Sequence, residues 1–287
     1  MGLALQYLIN GILVGMTYAV FSTGYALVFS TTRFLHVAAG GVFAFSGVMT
    51  WLMYVKAGLP LAIAIIFGIA LSVGLSCIIE IFIYQPLRNR KTTVLLTMIT
   101  SLGVMTVIQN GLALAFDSSI KFMPTSFGTM ITPYFAVTHW KLITFVVSAV
   151  LLGIMHWFLE HTRTGEEIRA VGSNLFMSQA IGISLRKIYI AAMVICAILV
   201  GWAGASEAVS SGANPNGGMS IMMVGMVVKL LGGVRNTKNI IIISFIYGLC
   251  ENMALLIVPS QWTSSLTFAV FVILMLVIAN PQRLAAE

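Results

Sequence analysis

Residues 61–91, LAIAIIFGIALSVGLSCIIEIFIYQPLRNRK, decide how this chain folds. Leu61–Tyr84 contains no basic residue and one carboxylate, Glu80. It exceeds the run of about 20 apolar residues that a helix needs to cross a hydrocarbon core of about 30 Å. Gln85–Lys91 then places Arg88, Arg90 and Lys91 behind Pro86, as in a short cytoplasmic loop, the side on which Lys and Arg accumulate. The stretch reads as a membrane-crossing helix followed by its inner turn.

The rest of the chain repeats this pattern. Hydrophobic residues make up 59% of the 287 and charged residues 8%, with mean hydropathy +1.02. Soluble domains carry about 25% charged residues, and so few charges cannot cover a water-facing surface. A soluble enzyme domain is excluded on composition. Further apolar runs fall at Leu3–Phe29, Phe34–Val55, Thr93–Phe116, Leu142–Leu159, Ile188–Ser210, Ser220–Leu231, Ile240–Val258 and Ser265–Ala279. The expected fold is all-α: one polytopic transmembrane helical bundle over residues 1–287, with about eight to nine spans and broken or re-entrant helices. The run Ser220–Leu231 is short for a full crossing, and Gly11, Gly15 and Gly24 permit close packing of the first span. That first span lacks a basic n-region and a cleavage site and reads as mature. Cys77, Cys196 and Cys250 stand far apart in apolar runs and read as packing residues.

The net charge of +7 reports orientation rather than nucleic-acid binding. Arg163, Arg169, Arg186 and Lys187 share the inner side with Arg88, Arg90 and Lys91, and threading outward adds Arg33, Arg235, Lys238 and Arg283. Lys56, Lys121 and Lys141 fall outside, so the amino terminus is expected outside and the carboxyl terminus in the cytoplasm, with Ser220–Leu231 crossing. Asp117–Lys141 reads as a compact outer loop with Trp140 as its interface anchor.

Residues 160–187 form the one sizeable inner segment. Arg163–Gly172 predicts a charged helical stretch, Ser173-Asn174 an N-cap, Leu175–Ile181 a short helix and Gly182 its C′ residue. Leu175, Phe176, Met177 and Ile181 are too apolar for a solvated loop. They suit either a helix lying on the membrane or a knob that inserts into a partner's groove.

His161–Gly172, followed by Met177 and Ala180-Ile181-Gly182-Ile183, resembles the cytoplasmic segment of permease subunits of branched-chain amino acid ABC importers. Asn10–Ala19, Phe34-Leu35-His36, Tyr84–Arg88, Gln109-Asn110, Gly201–Gly204, Asn214-Pro215, Leu231–Gly233 and Gly248–Glu251 resemble further signatures of that family, in order and over nearly the whole chain. The resemblance implies a non-catalytic bacterial inner-membrane subunit that pairs with a second permease, more often a different one than a copy. It also implies two cytoplasmic ATPase subunits holding ATP and Mg, an external solute-binding protein, and no cofactor, metal or nucleic acid on this chain. The short inner helix would be the coupling helix, with Glu166, Arg169, Ser173, Leu175, Phe176, Met177, Ile181 and Gly182 as its contact set. The chain carries no phosphate-binding Gly-x-x-x-x-Gly-Lys-Ser/Thr motif of its own. It departs from the family at Arg33, Val37-Ala38 and Pro281-Gln282-Arg283, which leaves the cargo open between branched-chain amino acids and urea, amides or other small polar solutes.

Ionisable groups at membrane depth cost about 2.5–3.5 kcal/mol each, so each needs a partner, a wet cavity or the interface. Glu80, near the inner end of its span and close to Arg88 and Arg90, reads as a structural ion-pair or interface residue. Glu207 and Lys229 read as a pair that removes two lone charges at once, or else as pathway residues. Thr17, His36, Gly40, Asn214 and Glu251 complete the pathway candidates. A stand-alone secondary transporter or channel would need coupling carboxylates or a midplane filter, for which Glu207 and Glu251 alone are available.

Overall fold

The computed structural model describes residues 2–273 except 91, 126, 133–134, 234–236, 260–261, 263–264, 266–267 and 271. Arg235, Arg283 and most of the run Ser265–Ala279 thus lie outside the described residues. Helices α1 (Gly2–Thr32), α2 (Ala38–Trp51), α3 (Leu61–Ile79), α4 (Gln85–Asn89) and α5 (Val94–Phe116) come first. A hairpin of β1 (Thr129–Thr132) and β2 (Phe135–Thr138) follows, paired antiparallel with Thr129 opposite Thr138. Then come α6 (His139–His161), α7 (Arg163–Ser173), α8 (Leu175–Ala180), α9 (Leu185–Ser211), α10 (Gly218–Gly232) and α11 (Thr237–Ala254). Among the described residues, six helical segments are long and apolar enough to cross a bilayer.

Glycine spacing sets the centre of the bundle. α1 and α11 run antiparallel in close contact, with Gly11 against Leu249 and Gly15 against Phe245, while Gly24 lies against Leu199 of α9. α1, α2 and α9 are mostly covered by protein. α3, α5 and α6 instead turn Phe67, Ile78, Val107, Leu114 and Val146 outward, as lipid-facing helices do.

Two chain breaks lie inside the bundle. Residues 33–37 leave α1 through Arg33 at φ +59° and re-enter at Ala38, whose N–H donates to Ser101 Oγ two turns into α5 (2.9 Å). The apolar run Phe34–Val55 is therefore a buried lead-in followed by a helix. Its hydrophobicity reports burial, which a loop packed among helices shares with a span. Residues 212–217 form the second break. Lys121 and Ala213 exchange backbone hydrogen bonds (2.9 Å each) near the hairpin, and Asn216 O then accepts from Gln109 Nε2 at 3.5 Å. α10 starts there, its first residue Gly218 packed backbone to backbone on Gly40. Its 15 residues span about 22 Å at about 1.5 Å each, short of a hydrocarbon core.

α3 passes into a π-helical turn, Glu80–Tyr84. There Glu80 Oε1 accepts from Arg88 Nη2, and the guanidinium lies 4.2 Å from the Tyr189 ring centroid. The expected Glu80 ion pair is thus formed with Arg88. Trp140 differs from expectation: it is 6% exposed and its Nε1 donates to Ser206 O (3.2 Å), so it bonds α6 to α9 rather than anchoring the interface. The three cysteines are free, Cys196 buried, Cys77 partly buried and Cys250 exposed.

Candidate functional site

Gln6 of α1 exchanges two hydrogen bonds with Ala136 of the hairpin (2.9 and 2.7 Å), which fixes the start of α1 at the hairpin end. From that end a cavity of about 750 Å³ enters between α1, α2, α9, α10 and α11. Val14, Thr17 and Tyr18 face it from α1 at helical i, i+3, i+4 spacing, Glu207 from α9, Asn214 and Gly217 from the break, and Tyr247 and Glu251 from α11. Tyr18 Oη donates to Glu251 Oε2 at 2.6 Å, and the Tyr18 and Tyr247 rings meet edge to face at 5.8 Å. Asn214 Oδ1 accepts from Asn216 N (3.0 Å), shaping the break as an Asx turn. Phe43 and Ile221 line the floor, and beyond them Phe21, Tyr25 and Met222 fill the core toward the opposite end.

Four of the pathway candidates, Thr17, Glu207, Asn214 and Glu251, therefore share one cavity. The other three do not. His36 is 1% exposed and its Nδ1 lies 3.0 Å from Tyr84 Oη, which donates to Ser101 Oγ (2.7 Å). It is a packed hydrogen-bonding residue. Gly40 is the close-approach point for α10. Lys229 makes no ion pair with Glu207; its Nζ donates to Gly233 O at 2.7 Å and sits 5.5 Å from the Phe29 ring centroid, far down α10. The pairing fails on depth: Glu207 lies in the last turns of α9 at the cavity, Lys229 in the last turn of α10 at the other end. Tyr18, Thr144 and Ser220 line the cavity and were missed by the sequence reading; the stripe Val14, Thr17, Tyr18 was the available signal.

The end opposite the hairpin carries α7 and α8. Thr162 Oγ1 caps α7 by accepting from Gly165 N (3.1 Å), and Ile168 and Val171 are buried beneath it. Arg33 Nη2 donates to Gly172 O (2.5 Å), joining α7 to the end of α1. Asn174 Oδ1 caps α8 by accepting from Met177 N (3.0 Å), and Gly182 at φ +85° follows the helix end. Leu175, Phe176, Met177 and Ile181 stand out into solvent, Phe176 at 79% exposure. Glu166 and Ser173 are exposed on the same segment, while Arg169 borders a second cavity of about 400 Å³ beside Ser30 and Lys238. Asn174→Ala is expected to cost α8 about 1 kcal/mol, the worth of an N-cap. It is measured as faster hydrogen exchange at the Met177 amide.

These features define a polytopic membrane permease: a helical bundle with interrupted helices, a polar cavity at one end and a projecting apolar helix at the other. The chain belongs to the family of branched-chain amino acid transport system permease components, whose family model matches residues 7–279. The high-affinity branched-chain amino acid transport system permease protein BraD of Pseudomonas aeruginosa is 25% identical over 95% of this chain and 93% of its own length. The corresponding LivH of Escherichia coli K12 is 24% identical over the same shares. PsaBC of Streptococcus pneumoniae, solved with a Fab, superimposes with TM-score 0.53 at 17% identity, covering 96% of this chain and 93% of that one, a likeness of fold.

Proposed function

We propose that this chain is a non-catalytic permease subunit of an ATP-binding cassette importer in a bacterial inner membrane. It forms the translocation path for branched-chain amino acids or closely related solutes, the cargo in the names of its BraD and LivH relatives. The cavity residues Thr17, Glu207, Asn214 and Glu251 line that path. The observation that carries the reading is α8: an exposed apolar helix, capped and held off the bundle by α7, at the end where Arg88, Arg163, Arg186 and Lys187 collect. An apolar helix in water needs a groove to cover it, and the groove fits a cytoplasmic ATPase that holds ATP and Mg.

In this reading the hairpin end and the amino terminus face outward, toward an external solute-binding protein, and the carboxyl terminus is cytoplasmic. α10 with its lead-in 212–217 completes one crossing. A second permease, a different chain rather than a copy, supplies the other half of the path, and two ATPase subunits seat on the α8 helices. Residues 1–287 make one transmembrane domain, 160–187 its cytoplasmic segment, and the chain itself binds no cofactor.

Reconstitution of the complex in proteoliposomes tests this. Labelled leucine is expected to accumulate only with ATP on the ATPase side and loaded binding protein on the other. Accumulation driven by an ion gradient without ATP contradicts the proposal and identifies a secondary transporter.

A further inference from the structure

The second cavity, of about 400 Å³, lies at the end opposite the hairpin, where α6, α7 and the first residues of α11 surround α1. Its polar groups form two tiers. Ser30 of α1, Arg169 of α7 and Lys238 of α11 make the tier nearer α7. Thr23 lies two turns further into α1, about 10 Å at about 1.5 Å per residue. Ala26, Leu27, Met155, Leu159 and Ile240 supply the apolar wall. Thr31 and Thr32 hydrogen-bond back to carbonyls of α1, as helical threonines do. Thr23 does not: it is 3% exposed, and its buried Oγ1 has no hydrogen-bond partner among the described residues. A hydroxyl left in that state carries its full desolvation cost. Arg169 and Lys238 outnumber the one carboxylate on the cavity, Glu160, whose Oε1 lies 3.4 Å from His156 Nε2. Lys238 and Ser173 have further interactions of their own, and an ammonium has three donors to share. Beside the cavity α6 turns Ile154 and Trp157 outward, and α11 turns Ile242 and Ile246 outward. Trp157 is 59% exposed, and an exposed tryptophan on a spanning helix marks the headgroup level.

We propose that this cavity binds an anionic phospholipid of the surrounding bilayer. Its groups follow the order of groups in such a lipid. Arg169 and Lys238 hold the phosphate, Thr23 Oγ1 donates to an acyl ester carbonyl below it, and the apolar wall covers the chains. Basic pockets between transmembrane helices at the membrane surface take anionic headgroups in this way. A soluble phosphate engages the basic tier and leaves Thr23 unbonded. Occupancy ties α7, which carries α8, to α11.

The test is native mass spectrometry of the full-length chain, purified and delipidated in mild detergent, as wild type, Lys238→Gln, Lys238→Arg and Thr23→Val. The probes are phosphatidylglycerol, phosphatidylethanolamine with the same chains, and phosphatidylglycerol in excess glycerol 3-phosphate. The difference between wild type and variants separates this site from lipid bound elsewhere. Wild type is expected to hold one phosphatidylglycerol about tenfold more tightly than phosphatidylethanolamine, unaffected by glycerol 3-phosphate. Lys238→Gln is expected to lose about tenfold in that affinity, the worth of a charge-assisted contact, and Lys238→Arg to stay within about threefold. Thr23→Val, which keeps the shape and removes the hydroxyl, is expected to lose about threefold. Equal affinity for the two lipids, or wild-type affinity in Lys238→Gln or in Thr23→Val, overturns the proposal. Displacement by glycerol 3-phosphate assigns the basic tier to a soluble phosphate and also overturns it. An equal loss in Lys238→Gln and Lys238→Arg, misfolding included, assigns Lys238 to packing with the same result.

Discussion

Replacing Gly218 by alanine removes most of the folded protein. A Cβ at Gly218 runs into the carbonyl group of Gly40, and a Cβ at Gly40 runs into the carbonyl of Gly218. Both obstacles are backbone in the first turns of α2 and α10, just past the two chain breaks, so no side-chain rotation relieves them. Overpacking in a core that can shift costs about 1–3 kcal/mol. Here the cost exceeds that range, against a total stability of about 5–15 kcal/mol. The same substitution at Gly153 of α6, where a Cβ meets nothing within 4 Å, is expected to be neutral or to stabilise by up to about 1 kcal/mol. Monodisperse yield and melting temperature in mild detergent compare the two. Wild-type values for Gly218→Ala contradict the backbone contact between Gly40 and Gly218.

Arg88→Ala follows in size. Glu80 is 1% exposed and Arg88 is its ion-pair partner. Removing one partner of a buried pair strands the other charge and costs about 3–5 kcal/mol, whereas replacing both with apolar residues of similar volume is often neutral. Arg88→Ala is therefore expected to melt well below wild type, and Glu80→Leu with Arg88→Met close to it. A double variant as unstable as the single one contradicts a role confined to pairing.

Features set by local chemistry were legible in the sequence. The α8 helix and its ends followed from Asn174, Leu175–Ile181 and Gly182, because capping and the left-handed turn are decided within a few residues. The Glu80–Arg88 pair was legible because two turns of helix place both on one face. Depth was not legible. Hydrophobicity reports distance from water and not position along the membrane normal, so the sequence left Glu207 and Lys229 open between a pair and two pathway residues, whereas α10 carries Lys229 to the other end. The same limit hid the buried lead-in at Phe34–His36 and the inward turn of Trp140. Arg33 replaces the asparagine expected from the resemblance at a left-handed position that asparagine adopts readily, and its bond to Gly172 O offsets that strain.

Of the four candidates that line the cavity, Glu207 and Glu251 stand out in the sequence as ionisable residues in apolar runs, Asn214 as part of a turn-rich break and Thr17 within the first-helix stretch that carries the resemblance. His36 stands out as a polar residue and Gly40 as part of a small, flexible run, yet one bonds Tyr84 and the other admits a helix. Polarity in a span identifies a residue with a structural demand, and the fold decides whether that demand is a ligand.

The most direct test of ATP-driven coupling is affinity purification of this chain from gently solubilised native membranes, intact and as the Phe176→Asp/Met177→Asp variant. Both side chains are exposed on α8 and touch no core, so the variant retains its fold. ATPase subunits are expected to accompany the intact protein and to be absent from the variant at equal yield and melting temperature. ATPase retained by a folded variant, or absent from the intact protein under conditions that preserve a known ABC complex, contradicts coupling through α8.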